Sequence, residues 1–380
     1  MKQENIGWII GIVVLIGLAA LGFVYYSDKG VSLNAQEVYA EGVKQLEARD
    51  YANAKKSFDK AVASGEDLGA GIYNDRAVAN VMLERFDDAI ADFSRAIDME
   101  SDKPDAYVQR GFVYVIKKEP GNAIADFTKA LSIDANSAKV YSVRGMLYAD
   151  LQRFEDAMKD FDKALELEPN NIDLHLRRAS LNAYLGNWDA SIAGFNKAVD
   201  ICPECTPLYM DLAMIHQQMG NNHEALANYN KALEQAPDRG EYYFGRAMFF
   251  SSVGMKNEAI ADYSQGIELY PDDSSMYNNR AILYYEAGRY DEALKDLNKV
   301  LELDPNSEHA YYNLAELYIF KGDFDLALDN LMKLMEINSN AELFTDDKAN
   351  WIKELNKHKD NANVRKIKEI VDNMRTRERD

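Results

Sequence analysis

The chain has 380 residues, 28% of them charged and 47% hydrophobic, ample material for a folded array. Its 43 Lys and Arg against 63 Asp and Glu leave a net charge of −20. A surface this acidic repels phosphate backbones and anionic headgroups, which argues against nucleic acid as a partner and steers basic segments toward it; it also serves simply to keep a long array soluble.

Residues 1–5 form a short N-terminal flank. Ile6–Tyr26, IGWIIGIVVLIGLAALGFVYY, then runs without a charge. At 1.5 Å per residue this is about 31 Å of helix, against a bilayer core of about 30 Å. Trp8 stands near one end and Tyr25 and Tyr26 at the other, where interfacial aromatics belong. No A-x-A site closes the run and no Cys follows it for lipidation, so a single transmembrane anchor in the lipid bilayer is expected, not a cleaved signal peptide. Lys2 and Lys29 flank it almost evenly; the free N-terminus tips the orientation toward repeats on the extracytoplasmic side. Gly7 and Gly11 form one GxxxG, which either pairs two anchors in weak self-association or reflects the ordinary use of glycine in membrane helices. Residues 27–34 are a polar linker, short enough to hold the repeats close to the membrane.

From residue 35 to 339 the chain repeats itself. With Ala157 as the reference, its counterparts are Ala54, Ala89, Ala123, Ser191, Ala225, Ala259, Ala293 and Ala327, spaced by 35 once and by 34 thereafter. Twelve residues before each lies a Gly or Ala, and four after each lies Phe, Tyr or Leu, as in Gly145 and Phe161. A fixed period with framework residues at fixed offsets is the mark of stacked helical repeats. Each copy reads as two helices, in the reference copy about Lys139–Leu151 and Phe154–Leu167, with Pro169 just beyond. A lone pair cannot bury its apolar face; stacked neighbours do.

The framework Tyr141, Gly145, Tyr148, Ala157, Phe161, Ala164 and Pro169 resembles the tetratricopeptide repeat (TPR) family, with Tyr mostly in place of that family's Trp, Arg in place of its Leu, and the closing Pro in five copies only. The resemblance implies an all-α fold, an α-solenoid of about nine TPR helix-turn-helix repeats in a right-handed superhelix, here preceded by one transmembrane helix. It also implies a function class: binding other polypeptides and scaffolding assemblies, without catalysis.

Within the repeats, Arg76, Arg110, Arg144, Arg246 and Arg280, thirteen residues before the reference position, accompany Asp92, Asp126, Asp160, Asp262 and Asp296, three after it. Where the Arg becomes Leu212 or Leu314, the Asp becomes Asn228 or Asn330, so a salt bridge tying first helix to second is expected. Arg178 meets Gly194 instead, which leaves it and Arg177 either solvated or open to a ligand carboxylate. Cys202 and Cys205 are the only cysteines. With His216 and His223 they superficially resemble a zinc site, but about a dozen helical residues, roughly 18 Å, separate the two ends, too far for ligands of one metal. A local disulfide and two plain thiols remain open, the former with a redox accessory role as a third functional class. His175 and His216 occupy positions held elsewhere by Tyr or Phe, and no phosphate loop or nucleophile elbow is present, so no metal, cofactor or catalytic residue is expected. In residues 340–380, Trp351, Ile352 and Leu355, then Val364, Ile367, Val371 and Met374, form helical stripes that fit a terminal cap.

In the TPR family the inner face comes from the first helices. The matching positions here include Val108, Phe112, Met146, Leu176, Met210, Met214, Phe244, Met248, Ile282 and Tyr285. Methionine-rich surfaces adapt to varied apolar ligands. The expected function is therefore a membrane-anchored scaffold that binds polypeptide segments in an apolar groove with an acidic rim, alongside the guanidinium groups of Arg177 and Arg178. The alternative is a cytosol-facing receptor or co-chaperone at an organelle surface. The Lys–Asn clamp of that class is absent, since the face carries Tyr39, Val43, Asn74, Val108 and Phe112.

Overall fold

The computed structural model of the chain describes residues 34–339 and 341–377. The anchor expected at Ile6–Tyr26 lies outside them; among the described residues no helix is long and apolar enough to cross a membrane. The described residues fall into two compact units that meet in sequence at Ile201 and Cys202.

The first unit holds five helix pairs: α1 (Ala35–Glu47) with α2 (Tyr51–Ala63), α3 (Gly71–Met82) with α4 (Phe86–Met99), α5 (Pro104–Ile116) with α6 (Pro120–Ile133), α7 (Ala138–Asp150) with α8 (Phe154–Leu167), and α9 (Ile172–Tyr184) with α10 (Trp188–Ile201). Local chemistry fixes the starts. Asn34 and Glu37 form a reciprocal capping box on α1, Ser137 and Asn171 cap α7 and α9, and Pro104 and Pro120 open helices where a missing N–H costs nothing. The small residue twelve before the reference position is a matter of space. A Cβ added to Gly145 would stand 2.9 Å from the Phe161 ring.

The second unit holds four pairs: α11 (Pro207–Gln218) with α12 (Asn222–Gln235), α13 (Gly240–Ser252) with α14 (Lys256–Leu269), α15 (Ser274–Glu286) with α16 (Tyr290–Leu303), and α17 (Glu308–Lys321) with α18 (Phe324–Ile337). A cap follows: strand β1 (Glu342–Phe344), α19 (Thr345–Leu355), a 3-10 turn at Asn356–His358, α20 (Ala362–Asn373) and strand β2 (Arg375–Arg377). Trp351, Leu355, Val364, Ile367 and Val371 are buried against Leu328, Leu331 and Leu334 of α18. The two strands pair in parallel, Glu342 opposite Arg375, a small departure from an all-α chain that joins the two ends of the cap.

The chain is thus an all-α solenoid of eighteen consecutive helices among the described residues of its repeats. In every pair the turn between helices carries one left-handed residue, five before the reference position. It is Arg49, Glu84, Lys118 and Gln152 in the first four pairs and Gly186, Gly220, Gly254, Gly288 and Gly322 in the last five. Only glycine takes that conformation without steric cost, so the first four turns carry backbone strain that the later ones avoid.

Candidate functional site

The polar frame comes first, because it decides which cations remain for a partner. In five repeats the Arg makes two parallel bonds to the Asp of its own second helix; Arg144 reaches Asp160 through Nε at 2.8 Å and Nη2 at 2.7 Å. Burial pulls the Arg144 pKa down, but the hydrogen bond and charge of Asp160 more than offset this and hold it raised. The third nitrogen reaches back to the preceding repeat: Arg76 to Asp59, Arg110 to Ser94, Arg144 to Thr128, Arg246 to Asn230 and Arg280 to Ser264. Each guanidinium therefore ties three helices. Where Leu replaces Arg, Asn228 and Asn330 donate to the carbonyls of Glu224 and Leu326 one turn back, so no buried polar group is stranded.

Arg178 also has an acidic neighbour in the preceding repeat: its Nε lies 2.6 Å from Asp162, and its side chain remains 37% exposed. Arg177 pairs with Asp173 one turn away on its own helix. Gly194 leaves room for Ala179, whose Cβ lies 2.8 Å from where a glycine side chain would start.

The inner-face positions divide by register. Fifteen residues before the reference position, side chains bridge from one first helix to the next element. The Tyr39 hydroxyl donates to Asp75 at 2.6 Å, Asn313 to Asn278 at 2.9 Å, and Tyr312 to Asp347 at 2.6 Å. Burial raises the pKa of both Tyr39 and Asp75. Met210 and Phe244 share this register and are half-buried against the core of their unit, as is Tyr285. Eleven before the reference position, three successive first helices of the second unit point their side chains outward. Met214 is 60% exposed and Met248 49%, with Ile282 also exposed. In the first unit Met146 at this register is exposed, and Leu176, fifteen before its reference position, is half-buried.

Val108 and Phe112, expected in the groove, are core residues instead. Phe112 is 2% exposed; its ring packs edge-on against Phe127 with centroids 5.2 Å apart, and the Lys139 ammonium sits 5.9 Å from its centre. Packed against Phe127, the ring gains more by burial than by facing water.

Cys202 and Cys205 form a disulfide, with Cα atoms 5.3 Å apart. The enclosed Pro203 carbonyl accepts bonds from the Tyr209 hydroxyl and Gln235 Nε2, both at 2.9 Å, which pins the bridged loop to α11 and α12. His175 takes the Tyr209 role in its own repeat, with Nε2 2.8 Å from the Pro169 carbonyl. Among the described residues no group of His, Cys, Asp or Glu is arranged to hold a metal ion.

A cleft adjoins two of these positions. Next to Ile282 and Tyr285, residues Tyr312, Glu316, Phe320 and Asp347 line a cleft of about 300 Å³. The repeat register was the available signal: Glu316 stands at the same position in the last repeat as Met214, Met248 and Ile282.

Tetratricopeptide repeat models match residues 39–106, 104–137, 138–171, 206–239, 240–273 and 272–340. The C-terminal part of a TPR repeat-containing protein from Cytophaga hutchinsonii is similar in structure at 19% identity and a TM-score of 0.52, covering 73% of this chain and 99% of that one. A tetratricopeptide repeat protein from Parabacteroides merdae matches at 20% identity and 0.46, covering 66% and 98%. Yeast Tom70 matches at 15% identity and 0.40, covering 86% and 95%. No curated protein matches the chain.

Proposed function

The chain belongs to the tetratricopeptide repeat family, helical arrays that typically serve as non-catalytic protein-interaction scaffolds, and from that premise we propose that it is a membrane-anchored scaffold that captures polypeptide segments on the first-helix face of its second unit. The observation that carries the reading is the exposure of Met214, Met248 and Ile282 at one register on three successive first helices. Exposed apolar side chains in a row, shouldered by half-buried Met210, Phe244 and Tyr285, leave surface that a partner's apolar groups can cover. Methionine's unbranched, polarizable side chain lets such a strip accept more than one sequence.

Ile6–Tyr26 serves as the anchor in this reading, with the repeats on the extracytoplasmic side. The Cys202–Cys205 disulfide supports that sidedness, because disulfides persist in oxidising compartments. Met214→Asp combined with Met248→Asp is the test. Capture of the native partner should be lost in pull-downs while helicity and melting stay unchanged, since both side chains are exposed; undiminished capture would move the site elsewhere. Protease protection of the repeats in intact membranes tests the sidedness.

A further inference from the structure

Nine residues before the reference position most first helices carry a ring, among them Tyr114, Tyr148, Phe250, Tyr284 and Tyr318; on α3 the residue is Asn80. Where that ring has arginines both thirteen and four before the reference position, it meets both guanidinium groups. Tyr148 has Arg144 at 5.7 Å and Arg153 at 4.3 Å from its centre, and Tyr284 has Arg280 at 5.6 Å and Arg289 at 4.3 Å. The second repeat keeps both arginines, Arg76 and Arg85, and lacks the ring. Arg85 is held as Arg153 is, by the acid three residues on: Arg85 to Asp88 at 2.8 Å, Arg153 to Asp156 at 2.6 Å. In place of the ring is a cleft of about 260 Å³ between α2, α3 and α4, lined by Asn80, Ala91, Lys55, Arg76, Arg85 and the acids that pair with those three cations. Asn80 is 2% exposed; its Nδ2 donates to Asp92 at 3.0 Å, which turns Oδ1 the other way, and no donor among the described residues reaches that oxygen. Asn182, at the same register on α9, does accept a bond, from Asn187.

We propose that this cleft receives a tyrosine side chain of a polypeptide partner, its ring against the Arg76 and Arg85 guanidinium groups and its hydroxyl donating to Asn80 Oδ1. The site lies in the first unit and is separate from the groove reading above. Tyr148 and Tyr284 are the chain's own precedent for a phenol ring beside such an arginine pair. A side chain entering from solvent arrives tip first, so its hydroxyl and not its Cβ meets the floor, where Asn80 stands. A cavity of about 150 Å³ already holds benzene, so the cleft has room for the ring. Its charges balance: Lys55, Arg76 and Arg85 stand against Asp59, Asp88 and Asp92, all engaged with one another. A carboxylate or an ammonium group would have to break one of these pairs, whereas a neutral ring gains cation–π attraction from two cations and displaces no acid. Leucine lacks that attraction, and phenylalanine leaves Asn80 without its donor. A nucleobase offers a ring and donors too, but in a nucleic acid it arrives with phosphates, which a net charge of −20 repels.

The test titrates N-acetyltyrosinamide, N-acetylphenylalaninamide and N-acetylleucinamide against the full chain in detergent, followed by saturation-transfer difference NMR. The tyrosine amide should bind about tenfold more tightly than the leucine amide and about threefold more tightly than the phenylalanine amide. Asn80→Tyr supplies the ring that α7 and α15 carry at this register; it should erase the tyrosine preference while the melting temperature holds or rises. If that variant melts early, Arg85→Ala takes its place, since the Arg85 side chain is 53% exposed, and should reduce the preference over leucine to about threefold. Met214→Asp, in the other unit, should leave the preference intact. Equal binding of the three amides, or a tyrosine preference undiminished in the Asn80 or Arg85 variant, would overturn the site. Adenosine that binds more tightly than the tyrosine amide and competes with it would give the cleft to a nucleobase and overturn the tyrosine reading.

Discussion

Replacing Arg144 tests the frame on which the binding face is carried. Arg144 is the sole cation within bonding distance of Asp160 among the described residues, and the Asp160 side chain is only 6% exposed. Removing one partner of a buried pair strands the other charge, at a cost of about 3–5 kcal/mol. Arg144→Leu should therefore cost about 3 kcal/mol, the low end, because Asp160 retains some water. Arg178→Leu should cost at most about 1 kcal/mol, since its partner Asp162 is 52% exposed and hydrates readily. The chain itself supplies the rescue. Leu212 with Asn228 and Leu314 with Asn330 replace the pair elsewhere, the Asn turning to its own helix. Arg144→Leu with Asp160→Asn should thus regain about 2 kcal/mol of the loss in a double-mutant cycle. Urea denaturation of the four proteins followed by circular dichroism reads the cycle. Equal losses for Arg144→Leu and Arg178→Leu, or strictly additive effects of the two substitutions, would refute the reasoning.

The left-handed turn glycines give a second expectation: Gly254→Ala would introduce strain and should lower stability by about 1 kcal/mol, read as a shift in urea midpoint. Gly145→Ala should also destabilise, by about 1–3 kcal/mol, because its Cβ meets the Phe161 ring, whereas Gly121→Ala meets nothing within 4 Å and should be neutral or stabilising. Burial raises the Asp75 pKa above its ordinary 3.8, so its contribution to stability is fully present below that value and is lost as pH rises through the raised one. Asp75→Asn cannot ionise and still accepts the Tyr39 proton. Its melting temperature should gain on that of the unaltered chain as pH rises above the ordinary carboxylate range, and a constant difference would remove Asp75 as the cause.

The repeat unit was legible because its residues act locally and recur. Small residues meet rings at fixed offsets, and the joint variation of Arg with Asp exposed a contact between helices. The backward contacts to Asp59, Ser94, Thr128, Asp162, Asn230 and Ser264 were missed, although each of these positions holds an acceptor. Pairing within one copy is visible in its own sequence; pairing between copies requires the stacking geometry. The same limit separates Phe112 from Met214. Both stand at one register, but the ring of Phe112 packs against Phe127, while Met214 remains outside. The parallel strands of the cap involve only three residues each, too few for a periodic signal.

Site-specific photocrosslinking along one register tests the central claim most directly. A photoreactive residue is placed in turn at Met214, Met248 and Ile282, and at exposed Met99, Tyr184 and Met332 as controls, in the full chain in the cells that produce it. The account predicts one polypeptide cross-linked from the first three positions and from none of the controls, and its loss when Met214→Asp is combined with the probe at Met248. Equal cross-linking from the controls, or none from the three strip positions, would contradict it.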